Sequence, residues 1–269
     1  MPIRCVYTDL DGTLLGPGGA LVRNAEGNFT LLGVRGLEAA ARADAEVVPM
    51  SGRRKSTVAE FARLFAQDSF VYEVGCGLVI DGEETLLTGN LQPREGRSVY
   101  ELIAESGAPR LLVERYAGRL EYHAPWHGER EFTHLMRGLV DVDEANALLA
   151  SAGHSDLRLV DNGAIAPKPS LPDLDGPPHA YHLMPRTASK AAAVEAHMRA
   201  RGLTPEECVA VGDSREDTAV AAVVGRFFLV ANGAEKDPAL VTQPNVEVTE
   251  QRNGEGFYEA VVRSLAEAR

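Results

Sequence analysis

Short apolar runs alternate with helical stretches at both ends of this 269-residue chain, and in its middle the alternation stops. Residues 3–8 read as a buried strand ending at Asp9, residues 46–50 as a second ending at Ser51, and residues 70–74 as a third. Helices are predicted between them over 36–45 and 56–67, the latter with Val58, Phe61, Leu64 and Phe65 on one face. The stretch Gly16-Pro17-Gly18-Gly19 suggests a small hairpin or flap. From Ser189 the rhythm returns: a helix to Arg201, strand 208–211, a helix from Glu216, strand 227–230, a last strand near 245–248 and a helix from Gly256. Such repetition is that of a doubly wound parallel sheet. The expected fold is therefore α/β, with a Rossmann-like core built from residues 1–82 and 184–269 and an inserted α+β domain over 83–183. Within the insertion, Asp141-Val142-Asp143-Glu144 resembles a helix-opening capping box. Residues 167–178 carry five prolines and read as an irregular connection.

Bulk properties narrow the partners. A net charge of −12 argues against a broad nucleic-acid or anionic-membrane surface, but a local cluster of donors can still bind a small phosphorylated ligand. No apolar run approaches the roughly 18 residues of a membrane span. The N-terminus runs straight into a strand without a signal-peptide shape. The cysteines Cys5, Cys76 and Cys208 are odd in number and form no CxxC pair. A reduced, cytoplasmic setting is expected. The basic residues include only four lysines, Lys55, Lys168, Lys190 and Lys236, so each is worth inspecting for chemistry that arginine cannot supply.

The chemistry-bearing segments stand at strand ends and helix starts. Asp9-Leu10-Asp11-Gly12-Thr13 follows the first strand, and open parallel sheets bind ligands at their carboxyl ends. Two carboxylates two positions apart before a Gly turn can divide the work, one attacking or holding a metal and the other moving a proton. A solvated acidic turn would carry the same residues. Met50-Ser51-Gly52-Arg53 offers a hydroxyl and backbone N–H groups near a helix start, which suits phosphate, although Ser-Gly turns are common. Lys190 opens a helix, where a cation opposes the helix dipole unless it has anionic work to do. Gly212-Asp213-Ser214-Arg215-Glu216-Asp217 places two carboxylates just past a buried strand, and for Asp217 a plain acidic N-cap competes.

Taken in order, these four segments resemble the motif set of the haloacid dehalogenase superfamily. The resemblance covers the core on both sides of the insertion. The insertion's place, after the second motif and its following strand, resembles the large α/β cap of Cof-type, sucrose-phosphate and mannosyl-3-phosphoglycerate phosphatases, and Gly52-Arg53 matches their second motif. The resemblance implies a phosphatase that hydrolyses a small-molecule phosphate monoester through an aspartyl-phosphate on Asp9. Asp11 would act as acid and then base. Mg²⁺ would be held by Asp9, the Asp11 carbonyl and Asp213, with Asp217 behind them. Leu10, Ser51, Gly52 and Lys190 would bind the phosphoryl group. The implied substrate is a small phosphorylated metabolite, a sugar phosphate first and a phosphoglycerate-linked sugar as the specific choice.

Two positions depart from the family pattern. Glu216 replaces the usual Asn, and a carboxylate there would repel phosphate. Glu73-Val74-Gly75 only partly matches a Glu-Asn-Gly turn. The alternatives are a phosphomutase, or a non-catalytic phosphometabolite-binding or regulatory protein, which Glu216 would favour. His123, Trp126 and His127 with Arg130 form a polar-aromatic cluster in the insertion, where the two histidines could ligate a metal, but a surface or substrate-facing loop fits better. Cys76 between glycines reads as a small residue in a tight turn.

Overall fold

The structure, a computed structural model, describes every residue except Pro167, Lys168, Asp173, Thr242, Ala268 and Arg269. The start of the expected proline-rich connection and one of the four lysines thus lie outside the described residues.

The strands in chain order are β1 (Cys5–Asp9), β2 (Glu46–Met50), β3 (Ser69–Tyr72), β4 (Gly77–Ile80), β5 (Glu83–Leu86), β6 (Leu120–Tyr122), β7 (His134–Gly138), β8 (Leu157–Ala164), β9 (His179–Pro185), β10 (Cys208–Gly212), β11 (Arg226–Leu229) and β12 (Val246–Val248). The helices are α1 (Leu32–Arg42), α2 (Lys55–Leu64), α3 (Val99–Ser106), α4 (Ala108–Arg115), α5 (Val142–Ser151), α6 (Lys190–Arg201), α7 (Arg215–Thr218), α8 (Ala231–Lys236) and α9 (Asn253–Glu267). An eight-stranded sheet runs in the order β12-β11-β10-β1-β2-β3-β4-β5. From β12 to β3 every neighbouring pair is parallel. β1 and β10 are buried along their whole length, as strands covered on both faces must be.

Strand alternation sorts the two faces. Val6, Val47, Val209 and Val211 pack with Leu37 and Ala40 of α1 and with Phe257, Ala260 and Val261 of α9. Tyr7, one position from Val6, faces the other way and meets His197 of α6 edge-on. Chain order runs outward from β1 on one side and from β10 on the other, so the topological switch point lies between these two strands. A crevice for ligands forms there.

The sheet departs from the all-parallel expectation at one edge. β4 runs antiparallel to β3, because the turn between them is far too short for a parallel crossover. That turn, Glu73–Gly75, has positive φ at three successive residues, including 58° at Val74, a conformation that Asn tolerates far better than a β-branched side chain. α2 stops at Leu64, which is 62% exposed, so the predicted apolar face is shorter than its spacing suggests.

The chain divides into two compact units, Met1–Thr85 with Lys190–Arg269, and Leu86–Ser189. These limits differ by a few residues from those read off the rhythm, because β5 extends the core sheet and β9 runs on to Pro185 in the other unit. The second unit has its own four-stranded sheet, β6-β7-β9-β8, antiparallel throughout. Its helix α5 is capped by Asp141, whose side chain accepts from the Glu144 N–H at 2.8 Å.

Candidate active site

The carboxyl ends of β1 and β10 carry the acidic residues, and α6 delivers the cation between them. Lys190 Nζ donates to Asp9 Oδ1 and Asp217 Oδ1, each at 2.6 Å. All three side chains are nearly sealed from solvent, at 1%, 8% and 1% exposure. A buried ammonium with two carboxylate partners satisfies the demand that buried charge be compensated. Burial works against the charge on Lys190, yet Asp217 and Asp9 outweigh it and hold the ammonium above its ordinary pKa. Burial likewise pushes the Asp9 carboxyl upward, and Lys190 draws it down.

Asp217 is an organiser. Its second oxygen accepts from the Asp213 N–H (3.2 Å), the Ser214 N–H (3.0 Å) and the Ser214 hydroxyl (2.6 Å). These bonds close a capping box at α7 while the first oxygen holds Lys190. Asp217 is therefore an acidic N-cap and, at the same time, an anionic partner of Lys190. The fit requires Gly212, where a Cβ would lie 2.2 Å from the Asp217 Cβ.

Asp213 reaches toward the Asp11-Gly12 turn. Thr13 Oγ1 donates to Asp213 Oδ1 at 3.3 Å, and Lys236 Nζ lies 3.1 Å from Oδ2. Gly12 has φ of +90°, and a Cβ there would sit 2.4 Å from Asp213 Oδ2, so only glycine allows this approach. Burial lifts the Asp213 carboxyl above the usual range against the pull of Lys236. Asn232 fastens the turn by donating to the Gly12 carbonyl at 2.8 Å and accepting from the Asn253 N–H at 2.9 Å.

Asp11 is half exposed and held by a two-pronged bond, Arg53 Nε to Oδ2 at 2.6 Å and Nη2 to Oδ1 at 2.5 Å. Ser51 is buried, and its Oγ accepts from the Arg53 N–H at 3.1 Å. Leu10 is fully buried, with its carbonyl accepting from Thr13 and Leu15. Gly52 follows Ser51 just before α2. The first and fourth motifs and Lys190 thus meet directly, and Arg53 ties the second motif to the first.

The sequence reading left three contributors without a role. Arg53 was matched by pattern without its partner, and Asn232 carries no local signal. Lys236 was marked only by the scarcity of lysine. Glu216 is half-buried beside Asp217, and Arg215 pairs with Asp237 at 2.9 Å. In the insertion, Trp126 is exposed and Arg130 donates to its carbonyl and to Thr133 Oγ1. Among the described residues, His123 and His127 belong to no cluster able to hold a metal.

The donor set near Lys190 suits a hard divalent cation. Asp9, Asp213 and Asp217 present carboxylate oxygens within 4.8 Å of one another, and Mg²⁺ takes a few carboxylates with waters and phosphate oxygens. Because Asp217 is already committed to Lys190 and the 213–214 backbone, Asp9 and Asp213 are the side chains with coordination to offer.

Comparison with known proteins agrees with this geometry. The haloacid dehalogenase-like hydrolase family profile matches residues 174–261. A phosphoglycolate phosphatase from Halorubrum lacusprofundi is 29% identical over 181 residues, covering 64% of this chain and 71% of that protein. Two solved structures share the fold from end to end. Thermoplasma acidophilum 0175 superposes with a TM-score of 0.67 at 16% identity over 100% of both chains. The sucrose-phosphatase of Synechocystis sp. PCC6803, solved with sucrose and phosphate, gives 0.64 at 14% identity over 98% of both. Motif order, fold and sequence matches converge: this chain is similar to the haloacid dehalogenase-like hydrolases over residues 174–261 and shares its fold with solved structures that include a sucrose-phosphatase.

Proposed function

We propose that the chain hydrolyses a small phosphate monoester in two steps, with Asp9 as nucleophile. The observation that supports this most is the Lys190 bridge, which holds Asp9 by one oxygen in a water-poor pocket at the switch point. Asp9 attacks phosphorus to form an acyl phosphate as the leaving oxygen takes a proton from Asp11. Asp11 then accepts a proton from the water that opens the acyl phosphate, which regenerates Asp9. Lys190, the Ser51 hydroxyl and the Leu10 and Gly52 N–H groups bind the phosphoryl oxygens, where charge stabilisation counts most. The Arg53 fork fixes Asp11 in position between turnovers, and it must loosen before Asp11 can carry a proton. Mg²⁺, held by Asp9, Asp213 and the Asp11 carbonyl, would neutralise phosphoryl charge.

The insertion serves in this reading as the cap domain that chooses the substrate. A phosphorylated two-carbon acid is the first candidate, on the strength of the Halorubrum relative. A sugar phosphate is the second, favoured by the end-to-end likeness to a sucrose-phosphatase. Phosphate release from 2-phosphoglycolate, sugar phosphates and an aryl phosphate ranks these candidates. Asp9→Asn should abolish release from all of them while circular dichroism stays unchanged. A folded Asp9→Asn enzyme with near-normal turnover would overturn the mechanism.

A further inference from the structure

The opposite end of β1 from Asp9 holds a second cluster of chemically capable side chains, with no part in the phosphatase chemistry. Cys5 opens β1 and is the register neighbour of Glu46, which opens β2, and of Cys208, which opens β10. His197 of α6 comes down onto this row. One donor atom each from Cys5, Glu46 and His197 lies within 4.8 Å of the others. Cys5 and His197 are fully buried, while the Glu46 side chain keeps 24% of its surface in contact with solvent.

The polar bonds around the cluster are unevenly completed. His197 Nδ1 is 2.8 Å from the Tyr7 hydroxyl. Its Nε2 is buried without a hydrogen bond, 3.5 Å from Glu46 Oε1. A sealed ring nitrogen without a hydrogen bond is uncommon in folded proteins. Glu46 is held in place from behind by Ser69 Oγ at 2.5 Å and Arg201 at 3.3 Å.

We propose that Cys5, Glu46 and His197 form a structural site for a zinc-class divalent cation. The mixture of thiolate, imidazole and carboxylate is the donor set of zinc and is unsuited to magnesium, which prefers oxygen alone. Bonds of about 2.0–2.3 Å to a tetrahedral ion place its donors roughly 3.5 Å apart, so contraction by at most about 1 Å brings these three donors to bonding distance. Uptake breaks the Cys5 S–H bond, sends that proton to solvent and forms a sulfur–metal bond. His197 gives the Nε2 lone pair and keeps its proton on Nδ1, where it donates to the Tyr7 oxygen, an outer contact of the kind that orients metal-bound histidines. One thiolate and one carboxylate balance the divalent charge, as a buried site requires. The fourth position falls to a water entering beside Glu46.

Cobalt(II) is the probe, since bonding to thiolate gives it a near-ultraviolet charge-transfer band that oxygen donors cannot produce. Chelated wild-type protein, in excess Mg²⁺, should develop this band and saturate at one equivalent. Zinc should displace the cobalt and raise the unfolding midpoint by about 5 °C. Cys5→Ser and His197→Gln should each lose the band, while Asp213→Asn should keep it. A folded wild-type protein with no band would overturn the proposal. So would an undiminished band in Cys5→Ser, which would place the cobalt on another cysteine.

Discussion

Replacing Lys190 by Met is the most informative perturbation of the active site. The thioether keeps the length and burial of the side chain, so packing changes little, but Asp9 and Asp217 lose the cation that lies 2.6 Å from each. Two buried carboxylates cannot both stay ionised without it. Asp217 retains three donors from residues 213 and 214, so Asp9 is the one that takes up a proton. Protonating a carboxyl of ordinary pKa about 3.9 at pH 7 costs roughly 4 kcal/mol, comparable with the usual 3–5 kcal/mol for breaking a buried ion pair. At pH 5 the same protonation costs only about 1.5 kcal/mol. The sign follows from proton binding: above pH 4 the variant's native state holds a proton that its unfolded state has released, so the variant loses stability as pH rises. Urea denaturation in EDTA at pH 5 and pH 7 reads both numbers. A deficit below 1 kcal/mol at pH 7, or one equal at the two pH values, would refute the assignment of Lys190 as the internal counter-ion.

Three further outcomes are expected. Activity requires Mg²⁺ and is suppressed by Ca²⁺, whose looser geometry and higher coordination number engage both Asp9 oxygens; full activity after exhaustive chelation would remove the ion from the mechanism. Lys236→Ala, by clearing an exposed ammonium from Asp213, should lower the Mg²⁺ concentration for half-maximal activity by about two- to fivefold, the effect of one solvent-exposed pair; a higher requirement would show that Lys236 assists binding of the ion. In the second unit, burial holds the His134 imidazole down at about 4 although the Tyr100 carbonyl partly restores it. Its unfolded form takes up a proton near pH 6.5 and its native form does not, so about 3 kcal/mol of stability disappears as pH falls from 6.5 to 4; in His134→Gln that slope should flatten.

The parts of the site that were legible in the sequence are those fixed locally. Asp9, Ser51 and Asp213 each end a short apolar run, and Lys190 opens a helix, so their placement follows from element boundaries alone. The partners were not legible, because they depend on which strands lie side by side. Arg53 and Asp11 are 42 residues apart and meet only because β1 and β2 are neighbours. Cys5, Glu46 and His197 come from three elements and share no spacing that a motif could record. The antiparallel return of β4 was hidden for another reason: residues 70–74 read as one strand, whereas Glu73 and Val74 adopt left-handed conformations that end it. Side-chain composition does not announce such a bend when Val occupies it.

Lys190 and Lys236 also bear on the order of events in the life of the chain. Three clustered carboxylates with no cation among them would repel one another and loosen the ends of β1 and β10. Here Lys190 lies between Asp9 and Asp217, and Lys236 rests on Asp213, so the cluster is almost neutralised by side chains of the same polypeptide. Such a site is assembled by folding itself. An arriving ion would meet a finished receptacle and exchange with the exposed Lys236 ammonium, while the buried Lys190 stays in place. In the proposed mechanism, fluctuations in the supply of magnesium would switch catalysis on and off without putting the fold at risk.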